Sequence, residues 1–141
     1  MPTKLTPAQA KFVESQEVMR VATCADDLPH VVPVNPLYDP KTGAVCFVTD
    51  YGTKKLKNVE KNTRVALVLD TWKRVGNKGL MVVGKATILH KGEDYMRLRA
   101  MLYKRFPAYH SPGLTFGEGE APFICVEPEK VVGWGLGMKN E

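Results

Sequence analysis

Two threonines and two lysines near the middle of the chain are spaced so that they could bind a phosphate group. A strand is predicted to end at Val48 and Thr49, and Thr53 is predicted to cap a helix whose first turn contains Lys54 and Lys55. The amino end of a helix carries a partial positive charge, so each lysine is unfavourable there by about 0.3–1 kcal/mol. An anion held by the free N–H groups, the Thr53 hydroxyl and both ammonium groups would remove that conflict. The segment predicts an anion site, the alternative being that both lysines extend into water.

Basic residues are clustered in two stretches, and the formal net charge of the chain is +5. Residues 53–64 include five basic side chains against the single acid Glu60, and residues 72–85 include four basic side chains and no acid. Such clusters favour an anionic partner, either a phosphate-bearing small molecule or a nucleic acid. The first predicted strands lack exposed aromatic residues for base stacking, so we expect no nucleic acid partner.

Three helices and a series of short strands are predicted around this site. Thr6, Pro7 and Gln9 have the pattern of a helix start with a capping box, and helices are predicted at residues 7–16, 53–61 and 93–106. Strands are predicted at residues 18–25, 30–37, 44–49, 64–69, 79–90, 123–127 and 130–136, the fourth of them central because it is apolar on both faces. Turn residues at 26–27 and 38–43 predict tight connections, and Gly84 within a strand predicts a bulge or a close approach.

Short strands joined by tight turns predict a mainly β fold, a barrel closed from antiparallel strands with helices at its ends. The 141 residues fit a single domain spanning 1–141, and the absence of a GxGxxG motif argues against a Rossmann domain. No apolar run is as long as a membrane span, which needs about 20 residues. The amino-terminal segment also lacks the apolar run of a signal peptide. Three widely spaced cysteines predict reduced thiols and a cytoplasmic location.

The segment VTDYGTKKLKNVEKNTRVALVL resembles the flavin-binding segment of the pyridoxamine 5′-phosphate oxidase-like split β-barrels. In that family a strand ends in an aromatic or apolar residue plus Thr, a Ser/Thr-Arg/Lys-Lys turn follows, and the next strand begins with an Asn-Pro-Arg-Val-like sequence. The matching residues here are Val48-Thr49, Thr53-Lys54-Lys55 and Asn62-Thr63-Arg64-Val65. The likeness extends in order from Val18 to Trp134 and implies a split β-barrel that binds FMN.

The resemblance also implies roles for individual residues. Lys54 and Lys55 would hold the FMN phosphate, with the end of the strand at Val48 and the hydroxyls of Thr49 and Thr53 beside them. A second segment would run under the isoalloxazine ring and serve its polar edge through its backbone, namely Val32, Pro33, Val34 and Asn35.

Two more residues are candidates for the same ligand. Trp134 resembles the carboxyl-terminal tryptophan of the family, which implies that it flanks the flavin across a homodimer interface. Asn58 lies one helical turn after Lys54 and could reach the same ligand. The alternatives are that Trp134 only packs in the core or at an interface and that Asn58 is exposed to solvent.

The chain departs from the oxidase pattern at the positions that bind the substrate. It ends GLGMKNE soon after Trp134, without the Arg-Leu-His-x-Arg motif that grips the substrate phosphate in the oxidase. Asn35 and Pro36 stand where a substrate lysine is expected, and Gly79 stands where a glutamine is expected. The phosphate site is expected to be retained, and oxidation of pyridoxamine phosphate is not.

The sequence therefore predicts a cytoplasmic, homodimeric FMN-binding oxidoreductase that acts on a small molecule, with no side chain identified as a general acid or base. One alternative is a deazaflavin-dependent reductase of the same fold, because Lys55 to Asn58 matches its Lys-x-x-Asn motif and the basic residues 73–78 could bind an acidic tail. Another is a flavin carrier or sensor without turnover.

The remaining polar residues carry weaker signals. His30, His90 and His110 are too scattered for a metal site, so none is predicted, and Cys24, Cys46 and Cys125 lie in apolar strand contexts as small hydrophobic residues. The glycine-rich loop 111–120 is either a mobile lid over the flavin or a plain surface connection.

Overall fold

A computed structural model describes residues 2–74 and 76–136 of the chain, so the last residues of the GLGMKNE segment lie outside the described part. Within it the chain forms three α-helices, which confirms the three predicted: α1 (Pro7–Ser15), α2 (Lys54–Lys61) and α3 (Glu93–Arg105). A 3-10 turn at Pro107–His110 follows α3. The strands are β1 (Met19–Ala25), β2 (Leu28–Val34), β3 (Leu37–Tyr38), β4 (Val45–Val48), β5 (Arg64–Lys73), β6 (Gly76–Leu89) and β7 (Phe123–Trp134).

All strands belong to one antiparallel sheet with the order β2-β1-β5-β6-β7-β4-β3. Asp26 and Asp27 connect β1 to β2 with φ angles of 54° and 61°, the left-handed conformation that a two-residue hairpin turn requires. The predicted turn is therefore confirmed. The strand predicted to be central is also confirmed, because β5 lies between β1 and β6 and is buried along one side.

Two strand predictions were wrong in their division of the chain. Residues 30–37 form two strands, because Pro36 has no N–H to continue the ladder. Residues 123–134 form one long strand, β7, where two were predicted at 123–127 and 130–136. A bulge opposite Gly84 allows β7 to continue past Pro128, and a Cβ atom at Gly84 would lie 2.0 Å from the Glu127 carbonyl oxygen. The predicted bulge at Gly84 is thus confirmed.

The start of α1 has the predicted capping box. The Thr6 hydroxyl accepts a hydrogen bond from the Gln9 amide at 3.2 Å, and the Gln9 side chain accepts one from the Thr6 amide at 2.9 Å. The helix buries Phe12 and Val13, as predicted. These local contacts fix where α1 begins, so the sequence determines its position along the chain.

Apolar side chains form two clusters, one on each face of the sheet. One cluster packs α1 and α2 against β1, β5 and β6, and it includes Phe12, Met19, Leu56, Leu67 and Leu80. The other packs α3 and the loop after it against β4 and β7, and it includes Cys46, Tyr95, Leu98, Phe116 and Phe123. The helices therefore cover the barrel, and each of α2 and α3 is anchored by its own cluster.

Within residues 2–74 and 76–136, no three His, Cys, Asp or Glu side chains are grouped so that they could hold a metal ion. No helix of the same range is long and apolar enough to cross a membrane.

A buried ion pair ties the β3–β4 connection to α3. The Asp39 side chain is 3% exposed and accepts hydrogen bonds from both Arg97 guanidinium nitrogens, at 2.7 and 3.0 Å. Burial raises the pKa of Asp39, but bonds from Arg97, the Thr42 hydroxyl and the Lys41 amide outweigh that effect and lower it overall. Asp39 therefore stays ionised under α3, because charged partners replace its lost water.

Removal of Arg97 should destabilise the protein in a pH-dependent way. Arg97→Met leaves the Asp39 carboxylate buried without its cation, so we expect the free energy of unfolding at neutral pH to fall by about 1.5–3 kcal/mol. Because the folded pKa of Asp39 lies below its unfolded value, this contribution is complete above about pH 4 and disappears as acid protonates Asp39. Urea unfolding of both proteins at neutral and acidic pH measures the difference.

Lys41→Ala provides the matched control, since Lys41 forms an exposed ion pair with Asp94 at 3.0 Å. An exposed pair contributes less than about 1 kcal/mol. Equal losses for the Lys41 and Arg97 variants would contradict the structural role given to the Asp39–Arg97 pair.

Candidate functional site

A cleft of about 450 Å³ lies where the ends of β2 and β4 meet the start of α2. Four strands separate β2 from β4 in the sheet order, so these two ends can meet only because the sheet curls into a barrel. The 3-10 turn and the loop after it close the other side. The cleft therefore gathers residues that are far apart in the sequence.

Seven of the predicted cofactor residues line this cleft, and four lie elsewhere. The seven are Pro33, Val34, Asn35, Val48, Thr49, Thr53 and Lys55. Outside it are Val32, Lys54, Asn58 and Trp134.

Polar groups at the start of α2 form one end of the cleft. Thr53 occupies the predicted N-cap position, but within the described chain its hydroxyl makes no bond to the helix amides. It donates instead to the Asp50 carbonyl at 3.0 Å and contacts the Thr49 hydroxyl at 3.0 Å. The first helical amides, of Lys54, Lys55 and Leu56, have no intrahelical acceptor. This end therefore presents N–H donors together with the positive end of the helix dipole.

Lys55 brings a positive charge to the same end of the cleft. Its side chain is half-buried, and burial lowers the pKa of Lys55 below that of an exposed lysine, while Asp50 partly offsets this effect. No ion pair among the described residues includes Lys55. An anion in the cleft would stabilise the charged form of Lys55 and would also accept hydrogen bonds from the free amides.

Aromatic and aliphatic side chains form the opposite end of the cleft. Tyr109 is one of them, and the sequence alone did not identify it as a site residue. Its hydroxyl donates to Asn35 Oδ1 at 2.7 Å, and Asn35 Nδ2 in turn donates to the Glu17 carbonyl at 2.8 Å. Burial raises the pKa of Tyr109, so it remains a neutral donor. Phe116 packs edge-on against Tyr109 with ring centroids 6.1 Å apart, and Leu114 lies beside them. Only the fold brings these residues to the end of β2.

The glycine-rich loop supplies this wall, and its centre is firmly anchored to α3. The Phe116 amide donates to the Tyr103 hydroxyl at 2.9 Å, and its carbonyl accepts from Arg99 Nε at 2.6 Å. Leu114, in contrast, is 51% exposed at the tip of the loop. The mobile lid remains a prediction, and these contacts confine it to the tip around Gly113 and Leu114.

Asn58 has a structural position on the inner side of α2. It is 1% exposed, and its Nδ2 donates to the Thr23 hydroxyl at 3.0 Å, which links α2 to β1.

Lys54, one residue before Lys55, points to solvent outside the cleft, and Val32 is half-buried in β2 against the core. The sequence alone does not show whether Lys54 or Lys55 lines the cleft, because the packing of α2 determines which lysine faces it.

Trp134 lies on the outer face of the sheet, away from the cleft of its own chain. Its ring covers Gly79, where a Cβ atom would approach it to 1.9 Å. It lines a shallow apolar depression together with Val31, Met81 and Val132. A role at a flavin would therefore require a second copy of the chain.

A curled antiparallel sheet with helices at its ends, and a cleft between the start of α2 and an edge strand, define a split β-barrel. A family model described as pyridoxamine 5′-phosphate oxidase matches residues 5–135. The chain belongs to this family, which confirms the resemblance found in the sequence.

Individual relatives agree with this assignment. A pyridoxamine 5′-phosphate oxidase homolog from Saccharomyces cerevisiae is 30% identical over 98 residues, which cover 61% of this chain. The chain matches 48% of that protein, about half the length of the curated relative.

Solved structures show the same fold at low sequence identity. A conserved hypothetical protein from Mycobacterium tuberculosis superposes with a TM-score of 0.76 and 17% identity, covering 94% of this chain and 86% of that one. A FAD-binding protein from Mesorhizobium loti superposes with a TM-score of 0.70 and 22% identity, covering 94% and 96%. The expected fold class, a mainly β split barrel with helices at its ends, is confirmed.

The position of Asn58 predicts an effect on stability. Asn58→Ala leaves the buried Thr23 hydroxyl unpaired, so we expect the free energy of unfolding to fall by about 1–3 kcal/mol. The double variant Thr23→Val/Asn58→Leu should be less destabilised than Asn58→Leu alone. In the single variant the Thr23 hydroxyl is buried without a partner, whereas the double variant has no such hydroxyl. Urea unfolding of Asn58→Leu, Thr23→Val and the double variant measures this coupling, and a double variant whose loss equals the sum of the two single losses would contradict it.

Proposed function

We propose that this protein is an FMN-binding flavoprotein that catalyses an oxidation or reduction of a small molecule. The observation that carries the proposal is the cleft at the start of α2, which combines free helix amides, Lys55 and two threonine hydroxyls at one end with an aromatic wall at the other. A flavin mononucleotide has a phosphate at one end and a planar ring at the other, so it matches this polarity. A relative of the same fold is described as a FAD-binding protein, which supports a flavin ligand.

The residues at the polar end fit a phosphate group. The amides of the first turn of α2 donate to phosphate oxygens, and Lys55 adds a charge-assisted bond. Thr49 and Thr53 are already within hydrogen-bond distance of one another, so either hydroxyl can turn toward the ligand. Asp50 raises the pKa of Lys55, and a bound phosphate would compete with it for the ammonium group.

The residues at the apolar end fit a planar ring. β2 is an edge strand, and a proline is accommodated there with its nitrogen turned away from the ladder. The Pro33 carbonyl then also faces away from β1 and can accept from the polar edge of the ring. Leu114 and Phe116 exclude water from the ring, while the Tyr109–Asn35 hydrogen bond holds the end of β2 in place. A bound flavin would supply the electron or hydride transfer.

The apolar outer face of the sheet supports the homodimer that the sequence predicts. Cross-strand neighbours Val31, Ala22 and Ala66 continue into Met81 and Val132 on this face. Val31 is 64% exposed and Trp72, farther along the same face, is 79% exposed. Exposed apolar surface of this kind is usually buried against a partner, and a twofold copy is the commonest partner. A second copy would also bring Trp134 to an interface, where we propose that it flanks the flavin.

The deazaflavin alternative has less support. Asn58, which completes the Lys-x-x-Asn pattern, is bonded to Thr23 on the far side of α2 from the cleft. Lys73 and Lys78 line a separate cleft beside the end of α1. Mass spectrometry of the cofactor released from the purified protein distinguishes FMN from a deazaflavin. Reduction by a nicotinamide donor, followed by oxidation by an acceptor, distinguishes an enzyme from a flavin carrier.

Lys55 should contribute much more to FMN binding than its neighbour Lys54. Lys55→Met removes a charge-assisted bond of about 1.5–3 kcal/mol, so we expect the Kd for FMN to rise by about tenfold or more. Lys54→Met is the matched control and should change the Kd only a few-fold, through screened long-range charge. Fluorescence titration of the apoprotein measures both.

Riboflavin and pH provide two further readouts for the same variants. Riboflavin lacks the phosphate, so wild type should bind it more weakly than FMN, and Lys55→Met should affect it little. Because burial lowers the pKa of free Lys55 and a bound phosphate would raise it, FMN affinity should fall as pH rises through that pKa. The decline in FMN affinity should begin below about pH 10.4, where exposed lysines titrate. The Lys55→Met variant should not show this decline. Equal effects of Lys54 and Lys55 would contradict the proposed phosphate site.

Charge on the outer face should separate the two subunits. Val31→Glu places a carboxylate on the apolar face, so we expect monomers where wild type forms dimers. Leu28→Glu is the control, because Leu28 is 63% exposed on the same strand but faces the other side. Sedimentation velocity reports both states, and a Val31→Glu protein that remains dimeric would contradict this interface.

A further inference from the structure

Two cysteines that are distant in sequence lie opposite one another under α3. Cys46 in β4 and Cys125 in β7 are register partners in the antiparallel pair. Both side chains pack in the cluster that α3 covers. The chain therefore holds a dithiol at a fixed position, although the sequence shows only separate cysteines.

Register partners satisfy the geometric requirement for a disulfide. Residues directly opposite in an antiparallel pair have Cα atoms about 4.5 or about 5.5 Å apart. Disulfides form across Cα distances of about 4.4–6.8 Å. Cys46 and Cys125 can therefore be joined without separating β4 from β7.

Only one of the two sulfurs faces a space that a small oxidant can enter. Cys46 is completely buried, whereas Cys125 is half-buried and lines a cavity of about 230 Å³ beside Thr87 and Arg97. That volume is several times the roughly 30 Å³ of a water molecule, so hydrogen peroxide fits. We propose that Cys46 and Cys125 are a peroxide-sensitive modification site that forms an intramolecular disulfide.

The reaction balances in two steps with hydrogen peroxide as the oxidant. The Cys125 thiolate attacks peroxide, the O–O bond breaks, and the products are a sulfenic acid and, with a proton, one water molecule. The Cys46 sulfur then attacks the Cys125 sulfur, the S–O bond breaks, and the Cys46 proton leaves with hydroxide as a second water molecule. Two thiols are oxidised by two electrons, and one peroxide is reduced to two waters.

The environment of the pair assigns the order of the two sulfurs. The neighbouring Cys125 thiol and burial both raise the pKa of Cys46, so Cys46 stays protonated near neutral pH. Cys125 borders the cavity, whereas Cys46 is completely buried, and therefore Cys125 is the sulfur that meets peroxide first. Cys46, already in contact with Cys125, is placed to resolve the sulfenic acid before it is oxidised further.

Peptide mapping of the peroxide-treated full-length protein tests the proposal. Wild type should lose two of its three thiols, become lighter by two hydrogen atoms, and yield a cross-linked peptide that contains Cys46 and Cys125. Dithiothreitol should restore all three thiols. This mapping needs no variant, so it holds even where a substitution at the buried Cys46 prevents folding.

Cysteine variants provide the matched controls. Cys24→Ala should form the same cross-link as wild type, because Cys24 lies on β1 away from the pair. Cys125→Ser should form no intramolecular disulfide. Retention of all three thiols in wild type, a cross-link that includes Cys24, or irreversible addition of oxygen to Cys125 would each overturn the proposal.

Discussion

Backbone amides at the first turn of α2 lack acceptors within the helix, and the Thr53 hydroxyl that could satisfy one of them is bonded to Asp50 instead. The protein fixes this helix start firmly, because Leu56 is buried in the core and Asn58 is hydrogen-bonded to β1. Donor groups held rigidly in this way bind an anion without first being ordered. Half-burial of Lys55 in the same place adds a charge with which the described residues form no ion pair, and the proposed phosphate would neutralise it.

The rest of the cleft depends on how the barrel closes. Arg105 at the end of α3 donates to the carbonyls of Pro36, Val13 and Gln16, so it joins α3 to α1 and to the β2–β3 connection. Burial lowers the pKa of Arg105, but several carbonyl acceptors take the place of water around it. This junction positions the 3-10 turn directly after α3, and with it Tyr109 at the end of β2. A long-range contact therefore defines the apolar end of the cleft, as the start of α2 defines the polar end.

β4 contributes to both the candidate cofactor cleft and the dithiol. Side chains two residues apart on a strand share one face, so Cys46 and Val48 both face the cluster under α3, and Val48 also lines the cleft. The strand then leads directly into Thr49 and the turn before α2. Oxidation at Cys46 would tie β4 to β7 one pleat away from the cleft wall. One short, buried strand thus carries both Val48 of the candidate cofactor cleft and Cys46 of the proposed redox-sensitive pair.

Local chemistry made much of this protein predictable from its sequence alone. The capping box of Thr6 and Gln9, the turn at residues 26–27, the central strand β5 and the helix start around Lys55 all depend on residues close together in the chain. The tertiary structure alone decided that β7 is one strand, that Asn58 is buried, and that Tyr109 reaches the cleft. Those outcomes depend on sheet register and barrel curvature, which bring together residues dozens of positions apart and therefore leave no local pattern in the sequence.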